Sequence, residues 1–184
     1  VKTEQDPLDP RPPARMRPVL DAIRHVEQAV TDAGGIALRY GGFYGPGTGL
    51  APGGDQWEAV AAGKFPIVGD GGGVWSFVHI DDAATATVAA VERGRTGEIY
   101  NVCDDEPAHV REWLPALAEA AGGRQPRHVP RWVARLVAGE HGVAMMCESR
   151  GASNAKAKRE LGWTPRWPSW REGFAQLARA GAPG

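Results

Sequence analysis

The sequence predicts an α/β fold built on parallel strands, and three observations carry that expectation. Gly35-Ile36-Ala37-Leu38-Arg39-Tyr40 is an apolar run of strand length bounded by glycine, as a largely buried parallel strand should be. The glycines at 41, 42, 45, 47 and 49, with Pro46, then neither continue a strand nor sustain a helix, so the chain leaves the sheet where open α/β sheets place their ligands. A second short strand, Val74 to Ile80, runs into an alanine-rich helix, repeating the β–loop–α pattern.

The elements follow in order. Prolines at 7, 10, 12 and 13 beside Glu4, Asp6 and Asp9 make the start an irregular loop. From Pro18 to Ala33, Val19, Ala22, Ile23, Val26, Ala29 and Val30 recur at helical spacing, and Gly34-Gly35 ends that helix. After the Ile36–Tyr40 strand the glycine-rich stretch reads as a turn. Asp55 is expected to cap a helix over 56–62, which Gly63 stops. Residues 65–68 are a short apolar stretch, and Gly69-Asp70-Gly71-Gly72-Gly73 is a tight turn into the Val74 strand. Asp81 or Asp82 is expected to cap the helix that carries Ala83, Ala84, Ala86, Val88, Ala89 and Val91. Glu98 to Val102 alternates as a strand. Helices are then expected over 111–121, 130–138, 154–161 and 169–180, the second with Trp132, Val133, Leu136 and Val137 as its apolar face.

Composition narrows the function classes. A chain of 184 residues that is 42% hydrophobic can bury one core, yet it is short for a two-part enzyme with its own complete nucleotide fold. No Gly-x-x-Gly-x-x-Gly turn occurs, so the expectation is a piece of a longer protein whose pyrophosphate-binding segment lies elsewhere. A net charge of −1, with Lys and Arg scattered, gives no electrostatic case for nucleic acid. Cys103 and Cys147 have neither metal-ligand spacing nor disulfide partners, which suits a reducing cytosol and gives no metal site. No apolar run approaches membrane-spanning length and no leader is visible, so a cytoplasmic protein is expected.

Four motifs stand in a telling order: Leu38-Arg39-Tyr40 leading to Tyr44-Gly45-Pro46; Phe77-Val78-His79-Ile80-Asp81-Asp82-Ala83; Gly97-Glu98-Ile99-Tyr100-Asn101-Val102; and Lys156 through Leu161-Gly162-Trp163-Thr164-Pro165. From about Val19 onward the chain resembles the carboxyl-terminal half of the extended short-chain dehydrogenase/reductase family, the NAD(P)-dependent epimerases and dehydratases. The resemblance implies part of a Rossmann-like parallel sheet, with an interleaved smaller substrate-binding lobe from segments near 65–68, 109–150 and 163–170. It also implies NAD or NADP as cofactor, with Tyr40 and Gly41 meeting the nicotinamide end, and a small-molecule substrate in the cleft between lobes. A homodimer is compatible with it.

Departures from the family pattern are equally informative. The family's Tyr-x-x-x-Lys pair supplies the acid/base phenol and the ammonium that lowers its pKa. Aligned through Glu27 and Val30, those positions hold Val19 and Ile23, and no Tyr lies between Val1 and Ala37. Trp75 stands where nucleotide-sugar enzymes of the family usually carry a diphosphate-gripping Arg, and Gly42 where an Asn commonly contacts the sugar nucleotide. An apolar or aromatic substrate is therefore expected, with Gly42, Phe43, Tyr44 and Trp75 as its walls.

Tyr44 and His79 remain as weak acid/base candidates. His79 reads more readily as a structural hydrogen-bonding group, and the glycines at 41–49 as a loop rather than a phosphate cradle, since Pro46 and Pro52 leave no helix amino terminus behind them. The tryptophans at 132, 163, 167 and 170, interleaved with arginines, suggest packing of the small lobe before base stacking. Two functions stay open. One is an NAD(P)-dependent oxidoreductase, epimerase or dehydratase relative; the other is a cofactor-binding sensor or regulatory protein without turnover, which the loss of Tyr and Lys favours.

Overall fold

The computed structural model describes residues 1–9 and 12–181; Pro10, part of the irregular start, lies outside them. The first residues form a strap: Lys2 donates its N–H to the Gly151 carbonyl and accepts from the Ser153 N–H. After a 3₁₀ turn over Ala14–Met16, helix α1 (Arg17–Asp32) carries Pro18 in its first turn, where a missing N–H costs no helical bond. Glu27 on α1 accepts two hydrogen bonds from Arg39, at 2.6 and 2.7 Å, and so fixes the helix against strand β1 (Ala37–Tyr40). This planar two-point pair sets the register of helix on strand.

The glycine-rich stretch is not all turn. Gly42–Tyr44 forms a short strand, β2, because its backbone finds a ready partner beyond helix α2 (Asp55–Ala61) and strand β3 (Ile67–Val68). That partner comes from the expected 74–80 strand, which is split. β4 (Val74–Trp75) and β5 (Phe77–His79) flank Ser76, and β5 pairs in parallel with β2, Gly42 opposite Phe77. Ser76 is the switch residue: its carbonyl accepts the Gly42 N–H at 2.8 Å while its hydroxyl accepts the Ala152 N–H.

Helix α3 (Ile80–Arg93) follows, then β6 (Ile99–Val102), whose four residues pair in parallel with β1. β7 (Ala108–His109) pairs antiparallel with β4, helix α4 (Val110–Ala120) comes next, and β8 (His128–Val129) pairs in parallel with β3. Helix α5 (Arg131–Cys147) runs nine residues beyond its expected end at 138, through a kink at Gly139, whose φ of 68° only glycine adopts easily. Helices α6 (Ala155–Leu161) and α7 (Trp170–Gly181) close the chain.

Both expected aspartate caps are corrected. Gly54, not Asp55, occupies the cap of α2. At α3 the cap is His79, whose Nδ1 accepts the Asp81 N–H at 3.2 Å. Asp82 is thereby freed for a different task. It is 2% exposed, and its two carboxylate oxygens accept the backbone N–H groups of Arg166 and Trp167 at 2.8 and 2.9 Å. The Phe-x-His-x-Asp-Asp motif is thus joined by one side chain to the two residues directly after Leu-Gly-Trp-x-Pro, 84 and 85 positions away.

Burial divides the packing into three clusters. Val78, Ala83, Ala86, Ala89, Ala90, Tyr100, Val102, Ala157, Leu161 and Trp163 seal α3 and α6 against the β1–β6 pair. A larger cluster joins α2, α4 and α7 through Tyr44, Trp57, Phe77, Trp113, Trp170 and Phe174. Val68, Ala134 and Val143 form a small third one under α5. Trp170 is buried in the larger cluster, Trp163 packs instead beside the β1–β6 pair, and Trp132 is exposed. Among the described residues no helix is long and apolar enough to cross a membrane.

Candidate functional site

A cavity of about 370 Å³ opens at the carboxyl ends of β1 and β4, in the size range of small-molecule sites. Its walls are Arg39, Tyr40, Gly41 and Gly42 from the sheet side, Val74, Trp75 and Ser76 from the split strand, Met145 near the end of α5, Ser149 and Arg150 from the irregular segment after it, and the strap. A second depression of about 500 Å³ lies at the other end of β6, beside Gly97, Glu98 and Lys156. Ligands of open α/β sheets sit at the carboxyl ends of strands, so the first is the candidate.

Four expected residues converge there: Tyr40, Gly41, Gly42 and Trp75. Gly41 is a glycine for a packing reason, since a Cβ would sit 2.8 Å from the Ser76 carbonyl oxygen. Tyr40 is partly exposed; its ring leans on Phe43 at 5.3 Å, and its hydroxyl shares a 2.5 Å hydrogen bond with Thr87. Trp75 is held from three sides. Its Nε1 donates to the Met145 carbonyl at 2.8 Å, and its ring packs at 4.8 Å from Trp113 and 6.1 Å from Phe77.

The remaining candidates lie elsewhere. Phe43 is 42% exposed and does not line the cavity. Tyr44 is fully buried, flanked by His79 and Phe174, with its hydroxyl lacking a hydrogen-bond partner among the described residues. Burial, reinforced by the Asp104 and Asp82 charges, drives its pKa far above the ordinary phenol value. The expectation of Tyr44 as substrate wall or acid/base is corrected accordingly: its ring is core, and a side chain at Gly173 would overlap it. His79 is likewise buried, stacked near Trp167 at 5.2 Å, and its pKa is lowered by desolvation. It serves as a helix cap, away from the cavity.

The Glu27–Arg39 pair also fixes what stands on α1. Val19 and Ile23, at the positions where the family pattern has Tyr and Lys, are 50% and 41% exposed. They face out of the described fold, and neither can move a proton.

The sequence reading missed Met145, Ser149 and Arg150. No local signal marks them, because they reach the cavity through long-range backbone bonds: Gly73 N–H to Met146, and Val74 N–H to Ser149. Among the described residues no group of three His, Cys, Asp or Glu side chains is placed to hold a metal ion.

Residues 21–103 match the model for the NAD dependent epimerase/dehydratase family. A 3-diazoavenalumate denitrifying reductase of a Streptomyces species is 44% identical over 171 residues, covering 93% of this chain and 55% of the relative. A conserved protein of unknown function from Silicibacter pomeroyi superposes with a TM-score of 0.74 at 29% identity, over 99% of this chain and 60% of that one. A dTDP-glucose 4,6-dehydratase of Streptomyces venezuelae, solved with NAD bound, gives a TM-score of 0.67 at 24% identity, over 97% of this chain and 53% of that one, and shows the shared fold. The chain spans about half the length of the curated relatives it matches.

Proposed function

Starting from the fact that this chain belongs to the NAD dependent epimerase/dehydratase family, we propose that its protein is an NAD(P)-dependent reductase of a small molecule that is not a nucleotide sugar. The observation that carries this reading is Trp75, whose indole, pinned to Met145, takes the place in the cavity wall where the family pattern puts a diphosphate-gripping Arg. An indole offers an apolar face and no donor to a phosphate oxygen once Nε1 is spent. We also infer that the lobes divide along the packing clusters, with the β1–β6 side toward the dinucleotide and the α2, α4 and α7 side toward the substrate.

The bound cofactor would supply a hydride. This chain's residues would hold its nicotinamide end through Tyr40 and Gly41 and keep the reacting carbon against Trp75. Val19 and Ile23 deliver no proton, so the reading favours an acceptor that needs none on an adjacent oxygen. The relative's name describes a reductase that removes nitrogen from a diazo compound. Brought to this chain, such a step at a diazonium carbon forms a C–H bond from the hydride pair. The C–N bond breaks as its electron pair leaves with N₂, and no proton is needed.

The same Val19 and Ile23 support a second reading, a cofactor-binding sensor without turnover. One assay separates the two. With the protein at its natural length, oxidation of NADH or NADPH is expected in the presence of a small aryl diazonium acceptor and not with UDP- or dTDP-sugars. Cofactor binding without consumption across such acceptors would favour the sensor; turnover of a nucleotide sugar would overturn the reductase reading. A companion expectation concerns position 75 alone. Trp75→Arg should raise the affinity for a nucleoside diphosphate by about tenfold, the scale of one charge-assisted contact, as measured by titration calorimetry. Unchanged affinity would remove Trp75 from the substrate wall.

A further inference from the structure

We propose that the cavity takes a planar aromatic substrate bearing a carboxylate, with Arg150 as the anion anchor. This rests on the reductase reading of the same site and narrows its substrate class.

The charges of the cavity wall are largely spoken for. Arg39 is bound at two points by Glu27, Lys2 is paired with Asp6 at 3.1 Å, and Asp9 is already engaged. Arg150 differs. Among the described residues its guanidinium has no carboxylate partner, and its one hydrogen bond is a long 3.4 Å contact to the Pro7 carbonyl of the strap. A guanidinium fork with free donors at the mouth of an apolar-walled cavity is suited to a carboxylate, which it can meet with two parallel bonds.

The position of Arg150 is tied to that of Trp75. Trp75 Nε1 donates to Met145, Val74 N–H to Ser149, and Gly73 N–H to Met146, so the end of α5 and the split strand are laced together just before Arg150. The backbone from which the exposed Arg150 side chain extends is therefore held beside the indole. A flat, conjugated acid could lie along Trp75 and Tyr40 while its carboxylate reaches Arg150.

The test compares trans-cinnamate with its neutral amide, cinnamamide, by titration calorimetry on the protein at its natural length. Cinnamate should bind about tenfold tighter, the scale of a charge-assisted hydrogen bond. Arg150→Gln should erase that preference while leaving cinnamamide affinity and thermal midpoint unchanged, and Arg150→Lys should restore part of it. Equal affinities in the unmodified protein, a preference that survives Arg150→Gln, or no binding of either compound at millimolar concentration would each overturn the assignment. Reduction of neutral aromatic acceptors without any carboxylate preference would sink the anchor and leave the reductase reading standing. Failure to consume cofactor beside an intact Arg150-dependent preference would do the reverse.

Discussion

Asp104→Asn is expected to make the protein more stable at pH 9 and to leave it nearly unchanged at pH 4. Asp104 is 2% exposed; one oxygen accepts the Glu106 N–H at 3.3 Å, and the other has no hydrogen-bond partner among the described residues. Desolvation, with the nearby Glu106 charge, pushes its pKa up to about 8 against the backbone N–H groups that lower it. In the unfolded chain the same carboxyl ionises near the ordinary value of about 4. Between those two values the native state holds a proton that the unfolded state has released. Stability therefore falls as pH rises from about 4 to about 8 and levels off above that.

The contribution across the window is on the order of a few kcal/mol. A neutral amide removes it while keeping one acceptor for Glu106. Thermal midpoints of the two proteins, compared at several pH values, cancel the titration of all other groups. Parallel curves for the two would show that Asp104 ionises normally in the fold.

Asp82→Ala carries the other large effect, in the opposite direction. Its carboxylate is the acceptor for two part-buried backbone hydrogen bonds, from Arg166 and Trp167. Their loss removes two hydrogen bonds to a charged group, worth about 1.5–3 kcal/mol each at most. A loss of about 3 kcal/mol would lower the thermal midpoint of a domain this size by about 6–12 °C. Asp82→Asn, which keeps one acceptor oxygen, should fall between. The damage should extend to Trp167, whose ring stacks near the His79 cap, and be read as faster amide exchange at 166 and 167. A midpoint within a degree or two of the parent would mean that the carboxyl-terminal loop docks without Asp82.

These two residues mark the boundary of what was legible beforehand. Asp82 stands out in the chain as an acid at the start of a helix, and a cap is the local reading of such an acid. Its real partners lie 84 and 85 residues away, and no local rule reports them. His79 takes the cap instead because its Nδ1 lies within reach of the Asp81 N–H. Tyr44 misled in the same way. A tyrosine in a glycine-rich loop at a strand end resembles a site residue, yet pairing of β2 with β5 draws its ring inward against Phe174 and His79.

Local chemistry of the chain determined the helices and the β1 and β6 strands, whose short-range apolar patterns need no distant partner to be recognised. It also determined the order of motifs, the absence of a Tyr-x-x-x-Lys pair, and Trp75 in place of a cation. The tertiary structure alone decided which polar groups ended up satisfied: the split at Ser76, the docking of Asp82, the isolation of Asp104, and the placing of Arg150 and Trp75 in the wall of one cavity. The physical reason is that buried hydrogen-bonding groups must find partners wherever the folded chain brings them, and most of those partners lie far away in the sequence.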